Sequence, residues 1–124
     1  MKKISLYKVA YYYKNKYKLK TKIDILNDYT VTAYKPYIDS ICLSKEYIKQ
    51  RLKDKAFYAR VKTKDIKKAC LWALLHELRH AIDFYKGKDS FIDKVVSEQG
   101  LEHNSRSQEL EADKFARQEL KKWL

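Results

Sequence analysis

Glycine and proline are nearly missing from this chain of 124 residues, which has only Gly87, Gly100 and Pro36. So few breakers exclude a loop-rich or many-turned sandwich and favour long regular elements. Cysteine is equally scarce. Cys42 and Cys70 lie in apolar settings and form no CxxC pair, which excludes a dense disulfide framework and predicts two reduced core residues. No stretch is long and apolar enough for a membrane span. The amino terminus, Met-Lys-Lys followed by ISLYKVAYYYKNK, lacks the uninterrupted apolar core and the small-residue cleavage site of a signal peptide. These absences predict a cytoplasmic protein with no membrane association.

What is present points to a folded, basic domain. A hydrophobic fraction of 45% is too high for a disordered chain, although 35% of residues are charged. The length suits one core and not two, so residues 1–124 are read as a single domain. The formal net charge is +12, from 28 Lys and Arg against 16 Asp and Glu. Such an excess attracts nucleic acid, anionic membrane or an acidic protein. Here the lysines are spread along the chain among many tyrosines, and no nucleic-acid-binding motif accompanies them. A solvated surface that steers an acidic substrate is therefore preferred to a nucleic-acid interface.

Residues 16–25, KYKLKTKIDI, alternate between charged residues and Tyr17, Leu19, Thr21, Ile23 and Ile25, the period of a half-buried strand. Residues 4–13 are rich in aliphatic and aromatic side chains, and Lys14-Asn15 suits a hairpin turn into that strand. A first helix competes, because Leu6, Val9 or Ala10, and Tyr13 also fall near helical spacing. Asn27-Asp28 reads as a turn, and residues 29–34 (YTVTAY) as a third strand stopped by Pro36. Residues 38–43 form a fourth apolar run. Ser44 then caps a short helix, KEYIKQRLKDK. From Thr63 to Tyr85 nothing breaks a long helix, with Thr63 as cap, Asp65 in the first turn and Gly87 beyond the end. Ile66, Leu71, Leu74, Leu75, Leu78, Ala81, Ile82 and Tyr85 give it one broad apolar face. A connecting helix capped by Ser90 ends before Gly100, and Ser105 with Gln108 makes a capping box for a last helix, ELEADKFARQELKKWL.

The chemistry is concentrated in the long helix, at H76-E77-L78-R79-H80. Histidines four residues apart lie one turn above another on the same face, so both can reach one ion. Glu77, about 100° round the helix from His76, is poorly placed as an equal ligand but well placed as a general base. Zinc suits imidazole and carboxylate donors, and three protein ligands leave the open position that catalysis needs. The last helix supplies candidates in E109-L-E-A-D113. Glu109 is the expected third ligand and His103 its main rival. Asp113, one turn beyond Glu109, can hydrogen-bond a ligand histidine from behind. Glu111 points about 200° away from Glu109, toward solvent. His103, Tyr85, Arg106 and Arg117 are open candidates for stabilising the oxyanion of a tetrahedral intermediate.

HELRH followed by ExEAD resembles the gluzincin metallopeptidases, in which a downstream glutamate completes the zinc site. The pattern ExEADxFA is similar to that of the ImmA/IrrE-like peptidases and related small zincins, and the likeness covers residues 70–117. It implies His76, His80 and Glu109 as ligands, Glu77 as base and acid, and Asp113 as the partner behind a ligand. It also implies that strand 38–43 is the edge strand that pairs with extended substrate. Arg79 departs from the pattern, standing where many relatives have glycine, beside the metal-binding turn.

The expectation is an α+β, minimal zincin-like fold: an amino-terminal sheet of about three or four strands, antiparallel or mixed, packed on the HExxH helix and a carboxy-terminal glutamate-bearing helix. The expected activity is zinc-dependent hydrolysis of a protein or peptide. The rivals are a non-catalytic zinc module that engages nucleic acid or an acidic protein, and a phage or mobile-element accessory protein acting by contact alone.

Overall fold

The computed structural model describes residues 5–124, except for the side chain of Ser105, and is α+β, with six α-helices and a three-stranded mixed sheet. Helix α1 (Leu6–Tyr17) opens the described chain, capped by the Ser5 side chain, which accepts from the Lys8 N–H. The expected hairpin is therefore replaced by its competitor, a helix, and Ile4 lies outside the described residues. The reason is visible in what is buried. Val9, Ala10 and Tyr13 form one helical stripe facing the core, whereas a strand would have sent Val9 and Ala10 to opposite faces. Lys18 takes a left-handed conformation (φ 56°) and the Leu19 N–H closes on the Lys14 carbonyl at 2.8 Å, ending the helix. Only the later part of the alternating run becomes strand β1 (Lys22–Leu26).

Strand β2 (Ala33–Lys35) is shorter than YTVTAY predicts. Beyond Ala33, the Ser44 N–H bonds to the Thr32 hydroxyl at 2.9 Å, and the Thr30 N–H to Ser44 Oγ at 3.3 Å, so side chains replace the ladder. Residues 36–39 form a turn that ends at Asp39 (φ 47°), and Ile38, expected in a strand, is exposed there. Strand β3 (Ser40–Ser44) is buried along its whole length. It runs parallel to β1 and antiparallel to β2, in the order β1-β3-β2. Residues 38–43 therefore do not supply an edge; β3 is the centre, and its apolar middle, Ile41, Cys42 and Leu43, fits a strand covered on both sides.

Ser44 caps α2 (Lys45–Arg51) as expected, its Oγ accepting from Tyr47 N–H at 3.1 Å. The helix stops early, and Asp54 caps a second one, α3 (Lys55–Val61), that the sequence reading did not separate. The long helix α4 (Ile66–Lys86) starts later than Thr63 because Asp65, not Thr63, is its cap, accepting from the N–H groups of Lys67 and Lys68. Helix α5 (Lys88–Ser97) begins at Gly87 without a side-chain cap, so Ser90 lies inside it. A 3₁₀ turn (His103–Ser105) precedes α6 (Ser107–Trp123). Ser105 therefore lies too early to cap α6; Glu98 instead accepts from the backbone and hydroxyl of Ser107.

The core lies around α4, whose Leu74, Leu75, Leu78 and Ala81 are fully buried. Its two ends differ from expectation, since Ile66 and Tyr85 are partly exposed. Ala112 and Ala116, both without exposed surface, let α6 approach α4 closely. Cys42 and Cys70 are buried, unpaired thiols; burial pushes that of Cys70 up to about 11. Among the described residues no helix is long and apolar enough to cross a membrane.

A polar knot ties α1 to α6. Tyr13 donates to Glu119 at 2.8 Å and accepts from the Trp123 indole at 3.0 Å, while Lys122 pairs with the other Glu119 oxygen at 2.8 Å. Tyr13→Phe removes one hydroxyl and leaves two polar partners short of a bond. It should destabilise the protein by about 1–3 kcal/mol, read as a lower urea midpoint at unchanged m-value.

Candidate metal centre

The site is built where α4 and α6 meet. His76 and His80 point from successive turns of α4 toward Glu109, in the first turn of α6. His76 Nε2 is 2.9 Å from Glu109 Oε2, and His80 Nε2 is 3.0 and 3.1 Å from the two carboxylate oxygens. All three residues are buried, and one donor atom from each falls within a 4.8 Å set. These groups are close enough to hold a metal ion. For a tetrahedral ion with bonds of about 2.0–2.1 Å, donor atoms sit roughly 3.3 Å apart, so each histidine–glutamate pair here need open by only a few tenths of an ångström. The donor set therefore fits. His80 Nδ1 is buried and has no hydrogen-bond partner among the described residues.

Behind His76 stands Asp113, whose Oδ1 is 2.8 Å from Nδ1, a close contact lying off the axis of a well-aligned hydrogen bond. Asp113 is in turn gripped by Arg60 of α3, with Nε on one oxygen and Nη2 on the other, both at 2.9 Å. Trp72, one turn before His76, stacks on the imidazole at 5.2 Å between centroids. Arg60 and Trp72 carry no motif in the sequence. Arg60 lies 53 residues from Asp113, in a helix that the residue pattern did not resolve, and no local signal could have paired them.

Glu77 is near but separate. Its Oε2 lies 3.8 Å from His76 Nε2, and its Oε1 accepts from the backbone N–H of Tyr34 at 2.9 Å. Strand β2 thus holds the carboxylate from the side of the sheet edge. In front, a cleft of about 380 Å³ is lined by Tyr34, Tyr47, Phe57, Trp72, Phe91 and Arg106, among others.

The remaining candidates are distributed unevenly. His103 reaches the centre, its Nε2 3.2 Å from Glu109 Oε1, while 65% of its side chain is exposed. It stands beside the ligand set, at the mouth of the cleft. Arg106 lines the cleft but is tied back to the carbonyls of Leu101 and Gln99. Tyr85 is not brought to the site. Its hydroxyl is held by Asp39 and by the Lys20 N–H, because the carboxy-terminal end of α4 turns it toward the start of the sheet. Arg117 is exposed on α6 and does not line the cleft. Glu111 points outward, 55% exposed. Arg79 does not line the cleft either; it pairs with Asp83 at 2.9 Å and lies over Phe115 of α6.

The electrostatics of the cluster without an ion are those of a buried ion pair. Burial opposes charge on Glu109, but bonds and charge from His76 and His80 outweigh it and hold the carboxyl far below its usual range. Asp113 is lowered in the same way, burial being overcome by His76 and Arg60. For His76, burial opposes protonation, yet the charge of Glu77 and contacts with Asp113 and Glu109 raise its pKa to about 10.

No known family model matches the chain, and neither a curated protein nor a solved structure matches it.

The two kinds of shift set a pH window for the protein without a metal ion. Depressed carboxyls stabilise fully above their unfolded value, 4.5 for Glu109, and lose that contribution as pH falls through their folded values. The raised histidine stabilises fully below 6.5 and loses its contribution as pH climbs to about 10. The cluster should therefore contribute most between pH 4.5 and 6.5. In chelator, thermal midpoints should fall on either side of that window, and a midpoint that rises steadily from pH 6.5 to 9 would contradict the assignment.

Proposed function

We propose that this chain is a zinc-dependent peptidase of the gluzincin kind, with His76, His80 and Glu109 as ligands and Glu77 as general base. The observation that carries this reading is the convergence of two imidazoles and a carboxylate from two helices, with a second, separately held carboxylate 3.8 Å from a ligand atom. When bound, zinc would lower the pKa of a water molecule and polarise the scissile carbonyl.

The protein's own groups do the rest. Glu77 is oriented by the Tyr34 N–H through Oε1, which leaves Oε2 turned toward the centre to take a proton from the attacking water and hand it to the leaving amine. No covalent intermediate on the enzyme is needed. Asp113 stands 2.8 Å behind His76 Nδ1, where its charge favours a proton on that nitrogen and leaves Nε2 to face the ion. His103, exposed at the cleft mouth and within 3.2 Å of Glu109, is placed to donate to the developing oxyanion once a substrate fills the cleft. Strand β2 is an edge of the sheet and lines the same cleft, so an extended peptide would lie along it beside the Tyr34–Glu77 contact. The zincin-like fold and the likeness to ImmA/IrrE-like peptidases belong to this proposal.

A non-catalytic zinc module is favoured instead by the charge, since residues 1–23 hold eight lysines and no acidic residue. Salt-sensitive binding of nucleic acid or an acidic protein, with no cleavage of any peptide library, would select it.

The decisive experiment combines metal analysis with a peptide-library assay on three proteins. Wild type should carry one equivalent of zinc and cleave, and chelation should abolish cleavage reversibly. Glu77→Gln should keep the zinc and lose about 10²–10⁴ in turnover. His80→Ala should lose the zinc. Undiminished cleavage by the Gln variant would remove Glu77 from the mechanism.

A further inference from the structure

Arg60 makes three hydrogen bonds beside the centre, and it comes from outside both helices that supply the ligands. Its guanidinium fork closes on Asp113 with two bonds of 2.9 Å, at side-chain exposures of only 17% and 10%. The remaining Nη1 donates to Asn104 at 3.0 Å, next to His103 in the 3₁₀ turn. The guanidinium also lies over Trp72 at 5.4 Å, and Trp72 stacks on His76. Arg60 therefore reaches His76 by two routes: through the carboxylate behind Nδ1 and through the indole against the ring face.

A half-buried carboxylate with one partner can swing about its terminal torsion; one clamped by a planar fork cannot. Asp113 has both oxygens in that fork, so the direction from which it meets His76 is set by Arg60. We propose that Arg60 is a positioning residue for the metal centre, locking Asp113 and Trp72 so that His76 presents Nε2 to the ion. This rests on the metal-site reading but not on peptide hydrolysis. Lysine cannot replace it, since an ammonium offers the charge without the planar pair of donors.

The test reads zinc affinity by competition with a chromophoric chelator, and ligand-field geometry from the visible bands of the cobalt-substituted protein. Arg60→Met should weaken zinc binding by about 10–100-fold, the range for lost partners behind a ligand, and shift the cobalt bands. Arg60→Lys should fall between Met and wild type. Because Arg60 acts largely through Asp113, the double variant Arg60→Met with Asp113→Asn should bind zinc little worse than Asp113→Asn alone. Wild-type zinc affinity and cobalt bands in both Arg60 variants would overturn the proposal, and so would full additivity with Asp113→Asn. Should Arg60→Met fail to fold, Arg60→Lys alone carries the test, with wild-type affinity and bands counting against it. A wild-type protein that takes up neither metal overturns the metal reading itself, which is a different result from wild-type uptake unaffected at Arg60.

Discussion

Ionisable side chains packed between α4 and α6 are stable only in each other's company. His76, His80, Glu109 and Asp113 are all buried, and each would be costly alone in a low-dielectric interior. Opposite charges and shared hydrogen bonds offset that cost, and Arg60 extends the compensation to a third helix. The consequence is mutual dependence: the distances that make a metal site are the same distances that keep the interface from holding unpaired charge. A cation placed among His76, His80 and Glu109 would take over the part played in its absence by a proton on His76.

Small residues make that proximity possible. Ala112 and Ala116 have no exposed surface, and on α4 Ala69 and Ala81 are equally covered and Ala73 nearly so. With short side chains on the faces of contact the helix axes can come close, so a glutamate in the first turn of α6 reaches imidazoles on α4. The remainder of the fold holds this pair in register. Tyr13, Glu119 and Trp123 fasten α1 to the far end of α6, while the sheet reaches the site from the other side through the Tyr34 N–H on Glu77. A strand of three residues is thus tied directly to the carboxylate beside the histidine pair, which follows from its being an edge.

The motif helix and its continuation were legible because both depend on local periodicity. Four-residue spacing puts His76 and His80 on one face whatever surrounds them, and the same rule aligns Glu109 with Asp113 and turns Glu111 outward. Capping by Ser44 was legible for a similar reason, since a cap interacts with its own first turn. Errors gathered where two local patterns were both satisfied. Leu6 to Tyr13 suits either a strand or a helix, and the helix prevails because Val9, Ala10 and Tyr13 can then face one core together. The start expected at Thr63 moved because Asp65 takes the capping role, and those expected at Ser90 and Ser105 moved because α5 and α6 begin without a side-chain cap, so no local capping signal marks them.

By itself the sequence determined which residues can share a helix face, and hence that the two imidazoles of α4 can reach one ion, while the meeting of Glu109 on α6 with them was decided by the packing of the two helices. It also determined that the chain would form long helices with few turns, because almost no glycine or proline interrupts it. Only the tertiary structure decided that β3 is the centre of the sheet, that β2 meets Glu77, that Tyr85 faces Asp39 instead of the cleft, and that Arg60 clamps Asp113. Each of these joins residues far apart in the chain, where no periodicity operates and only the packing of whole elements brings partners together.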